Sequence, residues 1–169
     1  MAFGFMLYIK YGFMLQKINL KIDHKLLIDE IFENSNHKWF GWKFKNQAKD
    51  KTITSINWGK TSDIGVYSLR FTKFKDIIEK AIPQLKDIKY DAKKSHITKT
   101  LPGGGIQWHK DFKRTKALLI PIGENKGSIY YENFTYKYEG PTYITTNVLH
   151  KTHNDSKINR YTIQLHINS

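Results

Sequence analysis

The spacing of apolar residues changes character near Tyr90. Upstream, alternating and helical periods are mixed. Gln16-Lys17-Ile18-Asn19-Leu20-Lys21-Ile22 alternates polar with apolar side chains, which predicts a half-buried strand. Asp23 follows, placed to cap a helix that carries Leu26, Leu27, Ile28, Ile31 and Phe32 along one side. Residues 39–44 and 64–71 read as strands, with polar residues 46–55 between them expected to form a loop. A second amphipathic helix is expected over about 74–85, burying Ile77, Ile78, Ala81 and Ile82. Pro83 lies near its end, where the ring breaks the hydrogen-bond ladder.

Downstream of Tyr90, short runs rich in Ile, Tyr and Thr recur between Gly, Pro and Asn punctuation. They fall at 96–101, 106–109, 116–122, 128–131, 134–138, 142–145, 148–152 and 160–167. Eight short strands so spaced predict a mainly β fold. A double-sheet jelly roll (double-stranded β-helix, cupin-like) supported by the two N-terminal helices fits better than an up-and-down barrel. Gly103-Gly104-Gly105 is expected to be a loop; it lacks the Gly-Lys-Ser/Thr that makes a phosphate-binding loop. The domain reading is an apolar segment 1–15 followed by one domain, 16–169, with its jelly-roll core at about 96–167.

Composition narrows the chemistry. At 169 residues, with 40% apolar residues, the chain has material for one folded domain and not comfortably for two. It has no Cys, so disulfides, thiolate metal sites and a cysteine nucleophile are excluded, and any metal must be held by nitrogen and oxygen. Residues 1–15 are too short, and too interrupted by Lys10, for a spanning helix, and they lack the basic leader of a secretory signal. Met6 and Met14 offer later starts. A cytoplasmic protein without membrane contact is the expectation.

The formal charge is +13, and of 28 basic residues three are Arg: Arg70, Arg114 and Arg160. Such a surplus suits an anionic partner such as nucleic acid. The abundance of Lys, Ile and Asn is equally what AT-rich coding produces. If Lys43, Lys45, Lys49, Lys51, Lys110, Lys113 and Lys116 line one rim of the site, a polyanionic substrate gains weight. In a chain so rich in Lys, each Arg raises the question of what its planar fork does that a point charge would not.

His109-Lys110-Asp111, then His150, then Arg160 ten residues on form the most informative constellation. On a strand, residues i and i+2 share a face, so His109 and Asp111 project together while Lys110 turns away. Two imidazoles and a carboxylate are the set that holds a non-haem Fe(II) on one face and leaves other positions open. Arg160 and Thr162 share a face in the same way.

The pattern His109-x-Asp111 … His150-x9-Arg160-x-Thr162 resembles the iron(II)- and 2-oxoglutarate-dependent oxygenases of the double-stranded β-helix fold. The stretch HKTHNDSKINRYTIQ around His150 is similar to the His-x-x-x-Asn-x-Ser-x-x-x-Arg stretch of prolyl hydroxylases and aspartyl/asparaginyl β-hydroxylases. The resemblance spans roughly 97–167. It implies that His109, Asp111 and His150 bind iron, that Arg160 pairs with the distal carboxylate of 2-oxoglutarate, and that the Thr162 hydroxyl assists. It implies a dioxygenase that uses O2 to hydroxylate a C–H bond of a peptide, protein or amino acid. The rivals are an oxidative demethylase or hydroxylase acting on nucleic acid, and a non-catalytic metal- or nucleic-acid-binding jelly roll. Demethylases of that kind carry a further Arg shortly after the co-substrate Arg, where this chain has Gln164.

His153 competes with His150 as ligand, but on the opposite strand face and only seven residues before Arg160. His24, His37, His96 and His166 are expected to be structural or exposed, His166 lying away from the mouth. Arg114 reads either as a solvated loop residue or as one facing the site, and Trp108 and Tyr130-Tyr131-Glu132 as core or as mouth.

Overall fold

The computed structural model describes residues 4–10, 13–43, 51–53, 57–111 and 114–167, with the side chains of 4–10, 13–14 and 51–53 left aside. The chain is mainly β. Six strands precede the core: β1 Gly4–Lys10, β2 Phe13–Ile18, β3 Phe40–Lys43, β4 Lys51–Ile53, β5 Asn57–Gly59 and β6 Val66–Arg70. Eight follow: β7 Asp91–Thr100, β8 His109–Asp111, β9 Lys116–Ile122, β10 Ser128–Tyr131, β11 Phe134–Lys137, β12 Thr142–Thr145, β13 His150–Thr152 and β14 Arg160–Ile167. Two helices, α1 His24–Leu27 and α2 Phe71–Ala81, are extended by a π-helical turn at Ile28–Phe32 and a 3-10 turn at Pro83–Asp87.

The strands form two sheets. The large one runs β1-β2-β12-β9-β14-β7-β6-β3-β5 and the small one β11-β10-β13-β8-β4. Pairing is antiparallel except between β4 and β8. From β7 on, successive strands alternate between the sheets, with β10 and β11 sharing the small one. Each crossing carries the chain over the space between the sheets, so loops and strand ends gather at that gap.

Period-two patterning sorts the side chains. Along β9, Leu118, Ile120 and Ile122 face the helices and pack with Leu27, Ile31, Phe74, Ile78 and Leu85, while Ala117 and Leu119 face the small sheet and pack with Ile129, Tyr131 and Ile144. Along β14, Ile163 and Leu165 join the helix side, and Arg160, Thr162, Gln164 and His166 line the inter-sheet cavity. Helices, large sheet and small sheet therefore form three layers, and the polar parity of β14 belongs to the inner gap.

Several boundaries differ from the pattern-based ones. The alternation over residues 16–22 becomes strand only through Ile18, and β2 begins at Phe13; residues 4–10 pair with it as an antiparallel hairpin. Asp23 caps α1 as expected, its carboxylate accepting from Leu26 N at 3.1 Å. The second helix starts at Phe71, directly after β6, with Phe71 and Phe74 buried and Ile77 only half-buried. Within the stretch expected to be a loop, Lys51–Ile53 is a strand; residues 46–50 and 54–55 lie outside the described residues.

Candidate metal centre and anion pocket

β8 and β13 bring the expected ligands together. His109 and Asp111 project from β8 with Lys110 exposed between them, and His150 is paired across from His109. The two imidazole centroids are 4.2 Å apart. One nitrogen or oxygen from each of His109, Asp111 and His150 lies within 4.8 Å of the others, so the group could hold a metal ion.

The backbone fixes which nitrogens face inward. His109 Nδ1 donates to Gln107 O at 2.6 Å, and His150 Nδ1 donates to Val148 O at 2.7 Å. A carbonyl only accepts, so each Nδ1 carries the proton and each Nε2 keeps its lone pair. Such outer hydrogen bonds orient imidazole ligands at metal sites. Burial, reinforced by the neighbouring imidazole, holds His109 down to about 4, and burial also lowers His150. Both rings are neutral donors at ordinary pH.

Asp111 is held by Arg114. Nε donates to Oδ2 at 2.9 Å and Nη2 donates to the same oxygen, while Oδ1 lies 3.6 Å from His109 Nε2. Burial pushes the carboxyl up, but Arg114 and the two imidazoles outweigh it and the net direction is down. Asp111 is therefore an anion with one oxygen occupied by Arg114 and the other turned to the imidazoles. Arg114 faces the site and is not a solvated loop residue.

Arg160 lies in the same cavity, about 570 Å³ in volume and lined from both sheets. It is 4% exposed, its Nη1 donates to Ser128 O at 3.3 Å, and its guanidinium sits 5.4 Å from the Tyr138 ring centre. Among the described residues no carboxylate pairs with it, and both Arg160 Nε and Tyr138 Oη are buried without a hydrogen-bond partner. Burial lowers its pKa and raises that of Tyr138. Room for it comes from Gly127 (φ +76°), where an added Cβ would collide with the Arg160 guanidinium at Nε. Thr162, one step inward, is 6% exposed and hydrogen-bonds to Thr98 Oγ1.

Asn154 and Ser156 from the sequence stretch have structural work. Asn154 Nδ2 donates to Thr100 O (3.0 Å) and Ile158 O (2.9 Å), and its Oδ1 accepts from Ser156 N (3.1 Å). Its backbone bonds to Gly103 and Gly104. The β13–β14 loop is thus tied to the glycine loop and to the end of β7, which sets where β14 and Arg160 begin.

The remaining candidates separate. His153 lies outside the cluster, 41% exposed, 3.2 Å from Asp155 Oδ1. His24 Nδ1 accepts from Gly123 N, 99 residues on, and His37 Nε2 bonds locally to Glu30 O. His96 and His166, expected to be structural or exposed, line the cavity together with Gln164, Trp42 and Trp58. The signal for His166 and Gln164 was available, because both share strand parity with Arg160 and Thr162; Trp42 and Trp58 carried none. Tyr131 is core, its hydroxyl donating to Thr145 O at 3.0 Å, and Tyr130 donates to Asp155 at 2.6 Å. Of the seven rim lysines, Lys45, Lys49 and Lys113 lie outside the described residues, as does the Lys51 side chain. Of the others, Lys43 donates to Thr61 Oγ1, Lys116 sits over Tyr143 and Lys110 is exposed between the two β8 ligands; none of the three is among the residues lining the cavity.

Compared with known protein families and with curated proteins, the chain matches none. Among the described residues no helix is long and apolar enough to cross a membrane.

Proposed function

We propose that the protein is an Fe(II)- and 2-oxoglutarate-dependent dioxygenase of the double-stranded β-helix (jelly-roll) architecture. One observation carries the reading: the His109/Asp111/His150 cluster and a buried Arg160, which has no carboxylate partner among the described residues, share a single cavity. A metal site alone does not need a buried guanidinium, and a buried charge without a partner is costly unless a ligand supplies one. The alternation of β7 to β14 between two sheets supports the architecture.

The residues present fit the implied groups. Two neutral Nε2 atoms and one carboxylate oxygen make a set suited to Fe(II), with positions left for a chelating 2-oxo acid and O2. Iron with 2-oxoglutarate and O2 supplies the oxidant for C–H hydroxylation, releasing succinate and CO2. The chain's own contribution is placement. Arg160 offers its unpaired Nε–H to the distal carboxylate, which a planar fork meets better than an ammonium does. Thr162 and the Tyr138 hydroxyl stand beside that position. Leu119, Ile129 and Ile144 line the same arm and keep water from it. Arg114 keeps Asp111 ionised and its second oxygen occupied.

The resemblance in sequence favours a peptide or amino-acid substrate; the lining of the cavity's other arm favours a different one. The test of the enzyme class is succinate formation from 2-oxoglutarate by protein reconstituted with Fe(II) in air. Turnover lost in His109→Ala, Asp111→Ala and Arg160→Ala supports the dioxygenase. Metal binding with neither 2-oxoglutarate binding nor succinate formation would leave a non-catalytic jelly roll.

A further inference from the structure

Beyond the metal cluster, the cavity continues into an arm that the dioxygenase reading leaves unassigned. Its wall is a row of rings stepping in from solvent. Trp58 on edge strand β5 is 46% exposed, and it meets Trp42 edge-on at 5.5 Å. Trp42 is 6% exposed, locked by its Nε1 donating to Ser68 Oγ at 2.6 Å, and meets His96 edge-on at 6.0 Å. Gln164 and His166 complete the arm from β14.

The polar groups there are unspent. Among the described residues, no hydrogen bond engages the His96 ring nitrogens, the His166 ring nitrogens or the Gln164 amide. Burial holds His96 down to about 4, and burial followed by Arg114 lowers His166, so both are neutral and offer one donor and one acceptor each. An adjoining cavity of about 440 Å³ shares Trp58 and His96 and adds Arg70, Lys93 and the 40%-exposed Phe40. Among the described residues that line the two cavities the sole carboxylate is Asp111, which Arg114 already holds. The margin is cationic, with Lys94, Lys93 and Arg70.

We propose that this arm binds a nucleotide unit, with the base against Trp42 and Trp58, its edge read by Gln164, His96 and His166, and its phosphate on Lys94, Lys93 and Arg70. A Phe or Tyr side chain would stack but would leave most of the donors and acceptors unpaired and bring no anion. A nucleobase supplies several ring and exocyclic groups, a π-face and an attached phosphate. The volume suits a ligand well beyond a five-carbon diacid. The shared chemistry is base plus phosphate, either as a free nucleotide or as one residue of a single strand. That this ligand is the substrate rests on the dioxygenase reading; that it binds does not.

The test uses the metal-free chain and tryptophan fluorescence, titrated with AMP, CMP, a single-stranded hexanucleotide and, as control, N-acetyl-tyrosine amide. Nucleotide is expected to quench, and Trp58→Ala to weaken its binding roughly 5- to 150-fold, as for loss of one stacking partner. Trp58 is half-exposed, so folding should survive; Gln164→Ala provides a second variant expected to weaken binding. Quenching by mononucleotides identifies a free ligand, and quenching by the hexanucleotide alone identifies a strand; either supports the assignment. No quenching by any nucleotide, binding undiminished in both variants, or tighter binding of the tyrosine amide overturns it. 2-Oxoglutarate binding, titrated separately with Mn(II) present, reports on Arg160 and distinguishes failure of this proposal from failure of the enzyme class.

Discussion

Replacing Arg160 by Met is expected to stabilise the ligand-free protein while abolishing its response to 2-oxoglutarate. The guanidinium is 4% exposed, has no carboxylate among the described residues, and leaves Nε without a partner. Its compensation is one 3.3 Å bond to Ser128 O and the face of Tyr138. Met keeps the apolar stem and removes the charge. Exchanges of buried charged groups for apolar ones of similar size have gained about 1–4 kcal/mol. Because Arg160 already has partial compensation, the lower half of that range applies, roughly 1–2 kcal/mol. For a domain of this size that is a rise in Tm of about 2–8 °C. The assay is thermal unfolding of both proteins with Mn(II), with and without 2-oxoglutarate. At about a hundred times its Kd, the co-substrate should add about 2.7 kcal/mol to the wild type. It should add nothing to Arg160→Met, and Mn(II) alone should act on both alike. A ligand-free variant melting several degrees lower, or equal stabilisation of both proteins by 2-oxoglutarate, refutes the idea that Arg160 waits for an anion.

Asp111→Ala should abolish Fe(II)-dependent 2-oxoglutarate turnover while circular dichroism stays native, and His153→Ala should leave metal affinity nearly unchanged; full turnover by the first variant would sink the ligand assignment. Gly127→Ala should weaken 2-oxoglutarate binding at least tenfold without altering metal affinity, because the new methyl occupies the space of Arg160 Nε and the residue sits at φ +76°; unchanged binding would mean that the guanidinium is not confined. Metal affinity should change by less than about threefold between pH 7.5 and 5.5, since burial holds His109 down to about 4 and lowers His150 as well; a tenfold loss by pH 5.5 would count against it. The same depressed values in His109 and His96 make unfolding take up protons, so stability is full above about 6.5 and falls as pH drops toward about 4, measurable by urea unfolding along a pH series.

The bounds of β9, β10, β12 and β14 follow from the residues themselves, because each is an apolar or alternating run closed by Gly, Pro or Asn. Where the partner decides, the pattern is silent. Lys51–Ile53 is too short and too polar to announce itself, and becomes a strand by pairing in parallel with β8. Helix α2 begins at Phe71 with no breaker after β6, so Phe71 reads locally as the last residue of a strand. The π-helical turn at Ile28–Phe32 carries apolar residues at spacings that an ordinary helix would share. In the site, strand parity found His109 with Asp111 and Arg160 with Thr162, and carried two steps (four residues) further along β14 it also reaches Gln164 and His166. Trp42 and Trp58 come from β3 and from edge strand β5, which reach the cavity only by adding to β7 through β6, a long-range matter. The role of Arg114 is decided by the fold, since a guanidinium three residues after a carboxylate can equally turn to solvent.

The pairing of β13 with β8 has a bearing on how the chain finds one arrangement. The strands meet in a single described register pair, His150 against His109. Lysines flank the ligands on both sides, with Lys110 exposed between His109 and Asp111 and Lys151 turned outward over Trp108 and Tyr130. A slip of one residue exchanges the faces of a strand. It would carry an ammonium into the spot of a candidate ligand, and the misaligned chain would repel a cation that the aligned one could hold. A divalent cation held by His109, Asp111 and His150 would therefore favour the aligned register of β8 and β13 over the slipped one.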